Sequence, residues 1–230
     1  MARALAEAGL DAIYSYAGRT ANPPPQPLPT RSGGFGGVEG LMMFLRDQGI
    51  SHVIDATHPF AAQISRNAVA ACGRAGVALV ALERLAWRPQ PGDLWLRAAD
   101  FEAAAAALPG DGSGVFLAIG RQNLAAFADL DQRWLLRFAE VAAHPLRDAT
   151  LIVSRGPYTA AGDKALMQRH GVTWVVAKNA GGRASEAKLT AARDLGLPVV
   201  MIDRPALPER RSAVTVAEVM GWLHGTERGV

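Results

Sequence analysis

Short runs of β-branched and aliphatic residues alternate with longer Ala- and Leu-rich stretches along almost the whole chain. The runs at residues 12–16, 52–55, 78–82, 115–119, 134–138, 151–154, 173–177 and 198–202 have the length and composition of buried strands. Between them, residues 37–48, 60–73, 100–108, 122–128, 162–170, 183–195 and 216–224 read as helices. Gly9, Gly49, Gly76, Gly171 and Gly196 each fall between a helix and the next strand, where a left-handed helix end favours glycine. This alternation is that of βαβ units and predicts an α/β fold with mainly parallel sheets.

Two stretches interrupt the rhythm. Residues 22–29 are Pro-rich, which predicts an extended surface spacer leading into a short strand at 28–31. The run Pro109-Gly110-Asp111-Gly112-Ser113-Gly114 reads as a loop near a boundary between two sheets. The expectation is therefore two Rossmann-like domains, residues 1–110 and 111–230. The beginning departs from that plan, because a helix at residues 2–8 runs directly into a strand. A doubly wound half ordinarily starts with a strand and a Gly-rich turn. Either the fold is permuted or its first strand is missing from this sequence, the chain beginning inside a longer protein.

Composition narrows the class. At 230 residues, half of them apolar, the chain can bury a sizeable core. It has no apolar run of the ~18–20 residues that would span a bilayer. Arg3 and Glu7 with no apolar segment between them do not make a secretory signal, so a cytoplasmic, membrane-free protein is expected. The net charge of +3 suits anionic partners. Its arginines are scattered rather than gathered into long basic runs, which argues weakly against a nucleic-acid-binding stripe. The lone Cys72, within an Ala-rich helix, is expected to be an inert buried thiol. The five histidines lack metal-ligand spacing, and no metal is expected.

Chemistry concentrates where strands end and helices begin, the edge at which open parallel sheets bind ligands. The most informative turn is Asp55-Ala56-Thr57-His58-Pro59-Phe60-Ala61. Asp55 or Thr57 there could simply cap the next helix. His58, held extended by Pro59, is the better candidate for ligand contact. After the 12–16 strand come Arg19 and Thr20 with no acid, which on this feature alone reads first as an ordinary exposed loop and second as a site for a 2′-phosphorylated ribose. Gly33-Gly34-Phe35-Gly36-Gly37 precedes a helix and reads either as a tight turn or as a cradle for a ligand, with Phe35 free to stack on a flat ring. In the second half Arg121, Arg155 and Lys178 follow three strand ends, the last within Lys178-Asn179-Ala180-Gly181-Gly182. Three cations at equivalent turns would form a pocket for several carboxylates or phosphates. The Tyr-x-x-x-Lys dyad and the Gly-x-Ser-x-Gly elbow are absent from the sequence.

Taken together these segments resemble the precorrin-6A reductase family of cobalamin biosynthesis. The resemblance runs in order through residues 15–20, 33–37, 55–61, Arg155-Gly156-Pro157-Tyr158-Thr159, residues 178–182 and Arg204-Pro205. The family's usual opening strand and Gly-Gly-Thr-x-Glu-Ala turn are not in this sequence. The resemblance implies two Rossmann-like domains, the N-terminal one binding NADPH and the C-terminal one closing the substrate cleft. It implies hydride transfer to one C=C bond of precorrin-6A, giving precorrin-6B, with a polycarboxylate tetrapyrrole as substrate. Neighbouring enzymes of the cobalamin pathway are further partners it admits. On this expectation Arg19 and Thr20 hold the 2′-phosphate, Gly33, Gly34, Phe35 and Gly36 line the cofactor, and Thr57 and His58 sit near the nicotinamide. His58 or Asp55 supplies the proton, unless water does. Arg121, Arg155, Lys178, Asn179, Gly181 and Gly182 hold the macrocycle, with Arg84 and Arg88 as additional candidates. Two other readings stay open: a different NADP-dependent oxidoreductase, or a nucleotide- or tetrapyrrole-binding protein without turnover.

Overall fold

Every strand pairing among the described residues is parallel, so each sheet carries all its strand-to-helix turns on one edge. The computed structural model describes residues 1–18 and 24–227. In chain order the first elements are α1 (Ala2–Glu7), β1 (Tyr14–Tyr16), β2 (Thr30–Ser32), α2 (Gly37–Asp47), β3 (His52–Asp55), α3 (Ala62–Ala75) and β4 (Ala78–Leu82). There follow β5 (Leu94–Ala98), α4 (Phe101–Ala106), β6 (Gly114–Ala118), β7 (Arg133–Phe138), β8 (Ala149–Val153), α5 (Ala160–Arg169) and β9 (Trp174–Lys178). The last are α6 (Ala187–Asp194), β10 (Pro198–Ile202), β11 (Ser212–Ala213) and α7 (Val216–Glu227). The five glycines expected to end helices all have φ between 57° and 68°, the left-handed region.

The chain divides into two units, Met1–Arg84 with Ala206–Val230, and Leu85–Pro205. The boundary expected at residue 110 is not where the contacts separate. The Pro-Gly-Asp-Gly loop merely joins α4 to β6 inside the second unit, because β5 pairs with β10 in the same sheet as β6. The last 25 residues return to the first unit, where β11 pairs with β4.

In the first unit, alternate residues of β3 and β4 face opposite layers, as the period of a strand requires. Val53 and Leu79 pack with Leu41, Leu45, Ala68, Ala71 and Cys72 of α2 and α3. Ile54 and Val80 pack with Ala2 and Leu5 of α1 and Val219 and Trp222 of α7. The strands form two separate ladders, β2–β1 and β3–β4–β11. Among the described residues β3 thus has one neighbour, and its residues 52–54 are only half-buried.

The second unit is one six-stranded sheet in the order β5-β10-β9-β6-β7-β8. β6 lies between β9 and β7, and Val115, Phe116 and Leu117 are almost wholly buried. Met167 of α5 and Leu189 of α6 close on Phe116, Val175, Val199 and Met201 to make the core. β5 escaped sequence reading because Leu-Trp-Leu-Arg-Ala is an edge strand paired on one side, with Leu94 and Leu96 exposed. Residues 121–127 form a 3-10 turn rather than an α-helix.

Candidate functional site

The turn after β3 is organised around one buried carboxylate. Asp55 ends the strand, and its Oδ1 accepts from the Thr57 backbone N–H (3.1 Å) and the Thr57 hydroxyl (2.7 Å). Its Oδ2 accepts from the hydroxyl of Ser65, in the first turns of α3 (2.7 Å), and from Arg210 Nη1 (2.7 Å). Asp55 is therefore not a cap of α3 and not a group facing solvent. It ties strand, turn and helix together and leaves Thr57 and His58 exposed at the strand-end edge. His58 Nδ1 accepts from the Phe60 N–H at 3.2 Å, which places the proton of the neutral ring on Nε2. Cys72, in α3, is buried, and loss of solvation with the nearby Asp55 charge pushes its thiol up to about 11, so it is inert at neutral pH.

The Gly-rich turn before α2 is built by Arg31, a residue sequence reading had passed over as the end of a short strand. Its guanidinium donates to the Gly33 and Gly34 carbonyls (3.0 and 3.1 Å) and to Ser15 Oγ (2.8 Å). It also lies 3.9 Å from the centre of the Phe35 ring, whose edge meets Phe44. One face of Phe35 is thus occupied by Arg31. Gly33, Gly36 and Gly37 have φ of 109°, 80° and 84°. Among the described residues nothing lies within 4 Å of a Cβ added at Gly33, Gly34, Gly36 or Gly37, which suits the approach of a ligand to this backbone. α2 starts there without a side-chain cap, leaving its N–H groups to interact with an anion. A hollow of about 300 Å³ adjoins the ends of β1 and β2, lined by Tyr16, Pro24, Gln26, Leu28, Arg31 and others. Arg19 and Thr20 lie outside the described residues.

In the second unit Arg121 and Arg155 follow β6 and β8, and Lys178 is the last residue of β9, so all three stand toward one edge of the parallel sheet. Their circumstances differ. Arg155 is exposed and donates to Glu140 (2.8 Å). Arg121 is exposed at the start of the 3-10 turn. Lys178 is half-buried, and desolvation lowers its ammonium to about 8. Behind it lies a buried group that sequence reading missed. Arg137 pairs with Asp163 and stacks 3.6 Å from the Tyr158 ring centre. Lys188 is buried, with its ammonium 5.0 Å from the Trp87 ring centre. Burial, then the nearby Arg137, lowers Lys188 to about 8.

Asn179, Gly181 and Gly182 were expected at the substrate. The structure gives the first two packing work. The Asn179 amide pairs with both backbone groups of Trp87. Gly181, at φ 70°, has no room for a side chain, since a Cβ would stand 2.1 Å from the Leu85 carbonyl oxygen. Arg204 fastens the same turn through the carbonyls of Asn179 (2.9 Å) and Ala180 (3.2 Å). Gly182, at φ 84°, leads into a 3-10 turn at Arg183–Ser185. Among the described residues no group of three or more His, Cys, Asp or Glu is placed to hold a metal, and no helix is long and apolar enough to cross a membrane.

Parallel sheets with polar, glycine-bearing turns on their carboxyl edges define an α/β protein of the kind that binds its ligands at those strand ends. Comparison with known proteins sharpens this. Residues 1–224 match the family model described as precorrin-6x reductase CbiJ/CobK. The chain is 56% identical over 236 residues to the precorrin-6A reductase of Rhodobacter capsulatus, covering 100% of this chain and 94% of that protein. It is 46% identical over 232 residues to that of Rhodococcus erythropolis (96% and 93% covered), and 29% identical over 198 residues to the cobalt-precorrin-6A reductase of Priestia megaterium (80% and 77%). A solved structure, CobK precorrin-6A reductase, superposes with a TM-score of 0.92 at 55% identity, covering 97% of this chain and 90% of that one. The chain belongs to the precorrin-6A reductase family, oxidoreductases of cobalamin biosynthesis.

Proposed function

We propose that this protein reduces a C=C bond of precorrin-6A with NADPH, giving precorrin-6B. The observation that carries the reading is the match to precorrin-6A reductases along essentially the whole chain, turns included. The higher identity to precorrin-6A reductases than to a cobalt-precorrin-6A reductase favours the metal-free macrocycle as substrate.

The first unit suits the cofactor. Its Gly33–Gly37 backbone suits the approach of a ligand, α2 begins uncapped beside it, and a hollow adjoins the ends of β1 and β2. Arg19 and Thr20, following β1 in sequence, are assigned to the 2′-phosphate. When bound, the nicotinamide supplies the hydride. Thr57 and His58, presented by the turn that Asp55 shapes, orient the reacting groups, and the assigned proton donor is His58 in its imidazolium form, reached when Nδ1 gives up the Phe60 contact and takes a second proton from solvent. Asp55 serves instead as acceptor for four donors. In the second unit Lys178 and Arg121 are assigned to the macrocycle's carboxylates. Arg155 joins them by exchanging its exposed partner Glu140, a contact worth little in water.

The test is NADPH oxidation by the purified protein with precorrin-6A, with cobalt-precorrin-6A and with simple carbonyl compounds. Oxidation with precorrin-6A alone, or far faster than with its cobalt form, supports the reading. Oxidation with carbonyl compounds and not with the macrocycle makes the protein a different oxidoreductase, and binding without oxidation makes it a carrier.

A further inference from the structure

Arg210 is a buried cation of the first unit with both ends of its fork in use. Its side chain is 8% exposed. One Nη donates to Asp55 Oδ2 at 2.7 Å and the other to Glu83 Oε1 at 2.5 Å. A buried guanidinium is tolerated only when carboxylates and hydrogen bonds replace its lost water. Here one cation bridges two carboxylates that stand at the carboxyl ends of neighbouring strands, β3 and β4. Arg210 itself arrives from the segment that brings the chain back to the first unit. That segment is fastened a second time by Arg66, which donates to the Ala206 carbonyl at 3.0 Å.

The bridge acts on the turn through Asp55. That side chain has four donors on two oxygens, about all that a carboxylate accepts. Two of them come from Thr57, the residue before His58. Any rotation of the carboxylate would break the Thr57 contacts, and Arg210 together with Ser65 is what prevents that rotation. We propose that Arg210 is a positioning residue of the reductase: it locks Asp55, and the locked carboxylate sets where Thr57 and His58 stand. This rests on the function proposed above. Lysine cannot substitute, because a single ammonium lacks the planar fork that meets Asp55 and Glu83 at once.

The experiment compares wild-type protein with Arg210→Ala and Arg210→Lys. It reads kcat and KM with NADPH and precorrin-6A, the thermal midpoint, and the ring ¹⁵N shifts of His58 by NMR. Wild-type turnover is measured first, since its absence would defeat the proposed function, whereas the His58 shifts report on the Arg210 link in either case. Expected are a kcat lowered by about tenfold or more, the scale of loss that a displaced reacting group produces, and a KM for the macrocycle changed by less than about twofold. His58 shifts move in both variants, and added guanidinium restores part of kcat to Arg210→Ala. A lower thermal midpoint with kcat per folded molecule and His58 shifts both unchanged would overturn the proposal, leaving Arg210 a purely structural anchor. Should Arg210→Ala fail to fold, Arg210→Lys, which retains a cation, decides by the same two readouts.

Discussion

Asn179 holds Trp87 by both of its backbone polar groups: the Trp87 N–H donates to Asn179 Oδ1 at 2.8 Å, and Asn179 Nδ2 donates to the Trp87 carbonyl at 3.1 Å. An amide side chain here replaces a strand partner for the loop that follows β4. Removing it leaves one donor and one acceptor without partners. Asn179→Ala is therefore expected to lower unfolding stability by about 2–4 kcal/mol, measured by urea denaturation, with the KM for the macrocycle little changed in the folded fraction. A large KM effect at unchanged stability would instead place Asn179 at the substrate.

The Arg137–Asp163 pair is buried, with side chains 10% and 4% exposed, and Tyr158 covers the guanidinium. Asp163→Asn strands a positive charge beside Lys188. A loss of about 3–5 kcal/mol is expected, read as a shift in denaturation midpoint. A shift close to zero would mean that the charge finds solvent.

Lys178 links binding and stability to pH with opposite signs. Its ammonium in the folded protein titrates at about 8, below its ordinary 10.5. Above about 8 the amine is neutral and loses its attraction for carboxylates, so the KM for the macrocycle is expected to rise through that region. Lys178→Arg, charged throughout, should remove the rise. Stability runs the other way. Between about 8 and 10.5 the unfolded chain binds the extra proton, so the folded state gains stability as pH increases across that window. Lys188, also lowered to about 8, adds to the same trend. Denaturation midpoints that rise from pH 8 to 10, and rise less in Lys188→Met, would bear this out.

Under the proposed function Arg19 is the residue assigned to the cofactor's 2′-phosphate. Arg19→Ala should raise the apparent KM for NADPH about tenfold or more while leaving that for NADH nearly unchanged. Equal effects on both would remove Arg19 from the phosphate site.

Much of the scaffold was legible because local rules suffice for it. The run at 198–202 is the strand β10 to the residue, and the glycines after helices turn left-handed as their spacing requires. The polar turns at strand ends were legible too, since parallel strands put them on one edge. What they do was less so. Asp55 reads in sequence as a helix cap or a proton donor, yet its partner Arg210 is 155 residues away. Arg210 stands within Glu209-Arg210-Arg211, a charged run that reads as a solvated surface. Arg31 and Lys188 hide for the same reason: their roles depend on side chains brought together only by folding. The division of the chain was misplaced because the return of residues 206–230 to the first unit is a long-range pairing that no local pattern announces.

The most direct measurement is a single turnover with NADPH carrying deuterium at both nicotinamide C4 positions, followed by mass spectrometry of the tetrapyrrole. The product is expected to be heavier than precorrin-6A by one deuterium and one proton, with matching loss of NADPH. A macrocycle recovered without deuterium while NADPH is consumed, or NADPH untouched while the macrocycle is bound, would contradict the proposed function.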